Sequence, residues 1–361
     1  MGESETIPPD LRIRARGARS NAAGRYEATE TRYDSDGWAQ EVGRQALTTH
    51  VTDEMARRII TYNRSPDLPF DRSINPYRGC EYGCVYCFAR PTHAWLGLSP
   101  GLDFETRLVA RPNAADVLDA ELRHPRYVPR PMAIGTNTDP YQPIEREYRI
   151  MRRILEVLRD YRHPVAVVTK GALIERDIDI LGQMGRDGLA RVGVSITTLD
   201  SEVSRRMEPR VPSPVRRMKT IERLAQAGCP VHVMVSPVVP AVTYREMESI
   251  HNQAAEAGAI AASWIMLRLP REVSPLFREW VEEYFPDRAR RIMGRVRDLH
   301  GGQEYDADWG KRMTGEGPFA DLIAHRFAIQ TRRLGLAASL PPLRTDLFRP
   351  PPRSGDQLSL F

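Results

Sequence analysis

Short apolar runs rich in valine and isoleucine recur between residues 70 and 270, each bounded by polar or turn-forming residues. Runs of this length read as buried strands, and the segments between them carry the three- and four-residue apolar spacing of helices laid on a sheet. The pattern predicts strands at about 72–77, 132–135, 165–169, 191–196, 231–236 and 262–269. It predicts helices at 114–122, 147–160, 176–186, 214–227 and 244–257, with an extra extended stretch at 104–110. Six strand–helix units in alternation predict an α/β fold, a partial (β/α)6 TIM-like barrel. Loops leaving the carboxyl ends of such strands converge on one mouth, where functional residues collect.

The flanks are different in character. Residues 1–45 are polar and lack periodicity, which predicts a mobile N-terminal extension or one laid loosely on the surface. Residues 271–340 predict a helical C-terminal appendage, interrupted by glycine-containing bends at 300–306 and 313–319. It either closes the barrel or forms a substrate-facing lid. Residues 341–361 predict an extended tail with an apolar end.

Composition narrows the class. A chain of 361 residues with 41% hydrophobic content has material for one large domain with extensions. No apolar run approaches the ~18–20 residues of a membrane span, and Met1–Thr6 lacks a secretory signal's basic and apolar regions. No membrane partner and a cytoplasmic location are expected. The four cysteines do not form a secreted disulfide framework, and Cys229, between a helix and a strand, is expected in the core. The net charge of +5 is too mild to indicate nucleic acid by itself. Between Arg205 and Arg223, however, seven basic residues stand against Glu208 and Glu222, either as a phosphate-binding stripe or as a solvated helix face. Lysine occurs only at 170, 219 and 311, so one at a strand end is informative.

Three cysteines lie within eight residues, Cys80, Cys84 and Cys87, in Asn-Pro-Tyr-Arg-Gly-Cys-Glu-Tyr-Gly-Cys-Val-Tyr-Cys-Phe. Three thiolates from one loop can hold three corners of a four-iron cluster and leave the fourth iron open. The alternative, zinc completed by His93 or another ligand, lacks the second ligand pair of zinc ribbons. Candidate partners stand at the other strand ends. Gly135, Thr136, Asn137, Thr138 and Asp139 follow the second strand and let acceptors approach an ammonium, or simply make a βα turn. Lys170 ends the third strand and can neutralise a carboxylate. Ser195 and Thr197 end the fourth on one shared side, Ser236 the fifth and Met266 the sixth.

The C-x3-C-x2-C spacing, with Tyr86 before the last cysteine, resembles the signature of the radical S-adenosylmethionine enzymes. That resemblance covers roughly residues 70–270. It implies a [4Fe–4S] cluster on Cys80, Cys84 and Cys87, S-adenosylmethionine on the open iron, a reducing electron carrier, and a 5'-deoxyadenosyl radical that abstracts hydrogen. It also assigns the methionyl amino group to the segment Gly135–Asp139 and the methionyl carboxylate to Lys170. Ser195 and Thr197 would serve the ribose or methionyl group, Ser236 and Met266 the ribose and adenine, and Tyr86 would belong to the cofactor site.

The Asn-Pro-Tyr-Arg-Gly-Cys lead-in, Thr138-Asp139 and Thr169-Lys170 resemble the spore photoproduct lyase-like subgroup, which implies lyase-type DNA repair. The sequence departs from that subgroup in lacking a cysteine near Thr136 and an alternating hairpin pattern in 270–335. Gln357, Leu358, Ser359, Leu360 and Phe361 resemble the pentapeptide by which bacterial polymerases and repair proteins dock on the DNA sliding clamp. A proline-spaced tail suits delivery of such a motif. The expectation is thus a nucleic-acid substrate, in DNA repair or replication-linked processing. Radical modification of RNA or a small molecule is the alternative within catalysis. A non-catalytic Fe–S or zinc protein that binds DNA and the clamp is the alternative outside it.

Overall fold

The computed structural model describes residues 15–27 and 47–352. Its centre is six parallel strands: β1 (Arg72–Ile74), β2 (Met132–Ile134), β3 (Val165–Thr169), β4 (Ala190–Ser195), β5 (Val231–Val238) and β6 (Ala261–Met266). They stand side by side in chain order, with Ile60–Tyr62 added antiparallel on the outer edge of β1. Every crossover steps the same way, which yields a partial barrel; a doubly wound sheet would reverse its order.

Local sequence explains the elements. Along β3, Val165, Val167 and Thr169 are buried while Ala166 and Val168 are half-buried, the alternation of a strand between a barrel interior and a helix layer. Helix Ile150–Asp160 buries Ile150, Met151, Ile154, Leu155 and Leu158 on one face, each worth about 1.5–3 kcal/mol of transfer free energy. It begins three residues later than predicted because Arg149 takes a left-handed φ of 51°. The Glu145 carboxylate then accepts from the freed Ile150 and Met151 amides at 3.0 and 3.1 Å. Helix Pro214–Gln226 starts with Ser213 accepting from the Arg216 amide and Pro214 in the first turn.

Two strand boundaries differ from expectation. The stretch at 72–77 divides at Asn75-Pro76, where proline has no amide to donate. Tyr77–Arg78 instead joins Arg107–Ala110 and His50–Asp53 in a separate three-stranded sheet. β6 ends at Met266, whose amide leaves the ladder to donate to the Met313 carbonyl at 2.8 Å.

The appendage comprises helices Val273–Tyr284, Ala289–Asp298 and Pro318–Leu334, and no described residue between 271 and 335 is in a strand. Phe277, Trp280 and Val281 share one apolar cluster with Cys80, Cys84 and Tyr86, so the first helix closes over the cysteine loop. The last packs on helix Met247–Glu256 through the Arg326–Glu248 pair and a Gln330–Asn252 hydrogen bond of 2.7 Å. Among the described residues no helix is long and apolar enough to cross a membrane.

The N-terminal extension departs from the predicted mobility at residues 15–27. Arg16, Ala18 and Ser20 are buried there because backbone and guanidinium donors find acceptors on the cysteine-loop side. In the tail, Phe348 packs among Tyr127, Tyr161 and His163. Residues 353–361, with the pentapeptide Gln357–Phe361, lie outside the described residues, as do 1–14 and 28–46. Cys229 is a buried core residue, its thiol pushed up to about 12 by burial.

Candidate functional site

The cysteine loop leaves the first strand at the mouth and is held from three sides. The Cys80 amide donates to the Phe104 carbonyl at 2.8 Å, and the Val85 amide to the Met207 carbonyl at 3.1 Å. Gln142 reaches back from beyond β2, accepting from the Glu81 amide at 2.9 Å and donating to the Gly79 carbonyl at 3.2 Å. Arg90, fully buried, donates to the carbonyls of Cys84, Pro100 and Gly101 at 3.0, 3.1 and 2.9 Å, and pairs with the equally buried Glu105. Gly83 turns the loop with a φ of 64°, and a Cβ there would stand 2.5 Å from Glu105 Oε2.

Residues 15–21 form a strap across this loop. The Gly17 and Ala18 amides donate to the two Glu105 carboxylate oxygens at 2.9 and 2.8 Å. Arg16 donates to the Glu105 carbonyl at 2.8 Å, and Ser20 donates to Glu279 on helix Val273–Tyr284. The cysteine loop is thereby tied to residues 16–20 and, through Ser20, to helix Val273–Tyr284.

Beside it, at the ends of β3, β4 and β5, lies a second polar centre. Lys170 Nζ donates to Ser195 Oγ at 2.5 Å and to the Ser236 carbonyl at 3.2 Å, and stands 3.5 Å from Glu208. Ser195 donates to the same carbonyl at 2.8 Å. Thr197 donates to Glu208 at 2.8 Å, Tyr86 also hydrogen-bonds Glu208, and the buried Arg217 pairs with its other oxygen at 2.7 Å. Burial pushes the Glu208 carboxyl up, but Arg217, Lys170 and the hydrogen bonds from Tyr86 and Thr197 outweigh it and hold it at about 2.

The predicted residues thus converge, with different degrees of freedom. Asp139 accepts from Thr169 Oγ1, the Lys170 amide and the Tyr141 amide at 2.6, 2.7 and 2.9 Å, so its carboxylate is engaged in positioning the end of β3. Thr138 donates to the Tyr77 carbonyl at 2.9 Å. Gly135 has a φ of 87°, and a Cβ there would meet the Val168 carbonyl at 1.9 Å, so the turn itself requires glycine. Thr136 and Asn137 are half-buried at the bend. Thr197 is buried, Ser236 is half-buried, and Met266 is a buried floor residue. Tyr82 and Tyr141 have committed hydroxyls, donating to the Tyr141 carbonyl and to Asp177 respectively.

Sequence reasoning missed Glu208, Arg217, Glu105 and Arg90. Glu208 and Arg217 were read as part of a basic run. In that run Arg205, Lys219 and Arg223 are exposed, Arg206 pairs with Glu202, Arg210 with Glu81, Arg216 and Arg223 with Glu175, and Arg217 alone is fully buried, against Glu208. A signal was present in the spacing, since Glu208 and Arg217 flank a Pro-containing turn that brings two helices together.

The donor set fits a multi-iron cluster. Burial pushes all three thiols up, and each lies close enough to another for its charge to be felt. Thiolates at that depth need compensating positive charge, which cluster iron supplies. Among the described residues, no three His, Cys, Asp or Glu side chains gather tightly enough to hold one ion.

The family model described as the radical SAM superfamily matches residues 74–254. This chain belongs to the radical SAM superfamily. Its members use a [4Fe–4S] cluster and S-adenosylmethionine. The chain is 34% identical over 285 residues to the uncharacterized protein Rv2578c of Mycobacterium tuberculosis, covering 78% of this chain and 83% of that one. It is 23% identical to the uncharacterized protein MJ0683 of Methanocaldococcus jannaschii over 59% of this chain and 76% of the relative. Among solved structures, spore photoproduct lyase complexed with dinucleoside spore photoproduct shares the fold, with a TM-score of 0.51 and 16% identity over 79% of this chain and 78% of that chain. Cys80, Cys84 and Cys87 are the residues that would hold the radical SAM cluster here.

Proposed function

We propose that this radical SAM protein is an enzyme acting on DNA, in lyase-type repair or replication-linked processing. The observation that carries the catalytic reading is the Lys170 ammonium beside the cysteine loop, held between Ser195, the Ser236 carbonyl and Glu208. The cluster and S-adenosylmethionine, when bound, supply one-electron chemistry that ends in hydrogen-atom abstraction from substrate. The chain's own residues orient the group. Lys170 receives the methionyl carboxylate, and the bend at Gly135, Thr136 and Asn137 receives the amino group. Asp139 and Thr138 position those two segments. Ser195, Thr197 and Ser236 face the ribose, Tyr86 orders Glu208, and Met266 floors the adenine side. Helix Val273–Tyr284 and the strap exclude water from the cluster loop.

Two features support a DNA substrate: the fold shared with spore photoproduct lyase complexed with dinucleoside spore photoproduct, and the clamp-like pentapeptide Gln357–Phe361. The lack of a cysteine near Thr136 argues for a final hydrogen donor different from that lyase's. A cytoplasmic enzyme served by a reducing electron carrier is the matching cellular setting.

The test is anaerobic reconstitution followed by dithionite and S-adenosylmethionine. 5'-Deoxyadenosine and methionine are expected, and none above a Cys84→Ala control would sink the enzymatic reading. DNA deuterated at thymine methyl or deoxyribose positions should pass deuterium into 5'-deoxyadenosine. No transfer from DNA, with transfer from RNA or a small molecule, would reassign the substrate. Pulldown with the sliding clamp should be lost on truncation after Asp356, and equal retention would remove the clamp from the scheme.

A further inference from the structure

The loop that follows β5 runs from Val239 to Glu246 at the mouth end of the barrel, and its first residue, Val239, belongs to the apolar cluster that contains Cys80, Cys84 and Tyr86. Beyond it the loop opens onto two adjoining cavities of about 280 and 320 Å³ that share Ala241, Tyr244 and Arg291. Arg295, Phe319 and Leu322 line one; Arg245 and Arg288 line the other. The groove therefore lies between the mouth, helix Ala289–Asp298 and the start of helix Pro318–Leu334.

Three of its arginines stand together without acidic partners: among the described residues, Arg245, Arg288 and Arg291 have no carboxylate partner. Arg245 donates to the Tyr244 hydroxyl at 3.0 Å, and Arg288 donates to the Ala241 carbonyl. Only Arg295 has an acidic neighbour, Asp298, at 3.2 Å. Glu246, the nearest loop carboxylate, faces away, accepting from Thr198 and the Leu199 amide at 2.8 and 2.6 Å. By contrast, the arginines of the 205–223 run are mostly neutralised by Glu175, Glu81, Glu202 and Glu208. The hydrogen bond from Arg245 and the charges of Arg245, Arg291 and Arg326 hold the Tyr244 phenol below its ordinary range.

The groove also has an apolar floor. Tyr244 and Phe319 meet edge to face with centroids 5.3 Å apart, and Leu322 is 48% exposed beside them. Guanidinium groups that track a backbone, set around aromatic rings that accept flat apolar faces, are the elements of a single-strand nucleic-acid groove. We propose that this groove, built by Arg245, Arg288 and Arg291 around Tyr244 and Phe319, binds the phosphodiester backbone of one nucleic-acid strand and leads it to the cluster mouth. The inference rests on the DNA reading above and assigns its docking surface.

Fluorescence anisotropy of the full cluster-loaded chain with labelled single-stranded and duplex oligonucleotides tests it across a salt series. The triple change Arg245→Ala, Arg288→Ala, Arg291→Ala should weaken single-strand binding at least tenfold and flatten the salt slope, by about 0.7 per lost phosphate contact. Arg291→Lys should retain most of the affinity, whereas Arg291→Glu should not. Arg216→Ala with Arg223→Ala, which opens the Glu175 pairs and the Arg216–Thr220 hydrogen bond and touches no residue lining the groove, should bind as the parent does. Melting temperature and iron content, measured for each variant, identify any that misfold. Tight parental binding left unchanged by the triple change, or strong preference for duplex, overturns the groove and leaves the DNA reading standing. Absence of binding by the parent chain to any oligonucleotide overturns the DNA reading itself.

Discussion

Gly17 lies against the backbone of Gly83, so close that a Cβ on Gly17 would stand 1.7 Å from the Gly83 carbonyl oxygen. A residue near the N-terminus thus sits directly on the cysteine loop, between Cys80 and Cys84. Both partners are backbone, so neither yields by a rotamer change. Gly17→Val should detach the strap and cost about 1–3 kcal/mol by overpacking. Iron and sulfide content after reconstitution should fall well below that of the parent; full cluster loading with unchanged melting temperature would show the strap to be dispensable.

The Glu208–Arg217 pair is buried on both sides, with each charge placed by other polar groups. Truncating one partner leaves the other buried and unpaired, which costs about 3–5 kcal/mol. Glu208→Ala should therefore lower urea stability by that order, and Glu208→Gln by less, since the amide still accepts from Thr197. A loss under 1 kcal/mol would mean that water already compensates the site.

Lys170→Met should weaken S-adenosylmethionine binding to the reconstituted chain by roughly ten- to a hundredfold, the worth of one charged hydrogen bond of about 1.5–3 kcal/mol. Lys170→Arg should not restore it, because a planar fork cannot occupy the compact site between Ser195 and the Ser236 carbonyl. Parental affinity in Lys170→Met, read by equilibrium dialysis, would remove the lysine from the cofactor site.

His251 is buried on helix Met247–Glu256 against Phe327, ring centroids 5.3 Å apart, and burial lowers it to about 4 despite Glu248 nearby. The unfolded chain takes up this proton near pH 6.5, while the folded chain resists until about pH 4. Stability from the neutral ring is thus full above pH 6.5 and is lost as pH falls toward 4, by on the order of 3 kcal/mol. His251→Phe should flatten the pH dependence of unfolding free energy across that window. An unaltered slope would show that the ring titrates alike in the folded and unfolded chains.

Much of this was legible in the chain itself. The valine-rich runs gave six parallel strands because a strand buried on both faces must be apolar throughout, and that demand leaves a plain mark in sequence. Lys170 and Ser195 were legible for a related reason: each sits at or just past a strand end, so locating the strands located them, whereas Ser236 lies within β5, which runs on to Val238. The packing of residues 15–27 was not legible, because its main partners are backbone amides, which carry no residue signature. Nor was the fate of the arginines, since a guanidinium looks the same whether it faces Glu175 or solvent.

By itself the sequence determined the order of strands and helices and the close spacing of Cys80, Cys84 and Cys87, because both depend on neighbours close along the chain. Only the tertiary structure decided that Asp139 is engaged in positioning a strand end through the Lys170 amide, and that Glu208 is the carboxylate paired with the Lys170 ammonium. It alone decided that Arg217 of the 205–223 run is buried against Glu208, and that Arg245, Arg288 and Arg291 line one groove. The physical reason is that charge compensation is a matter of distance in space. Glu175 and Arg223 are 48 residues apart in the chain yet in contact in the fold.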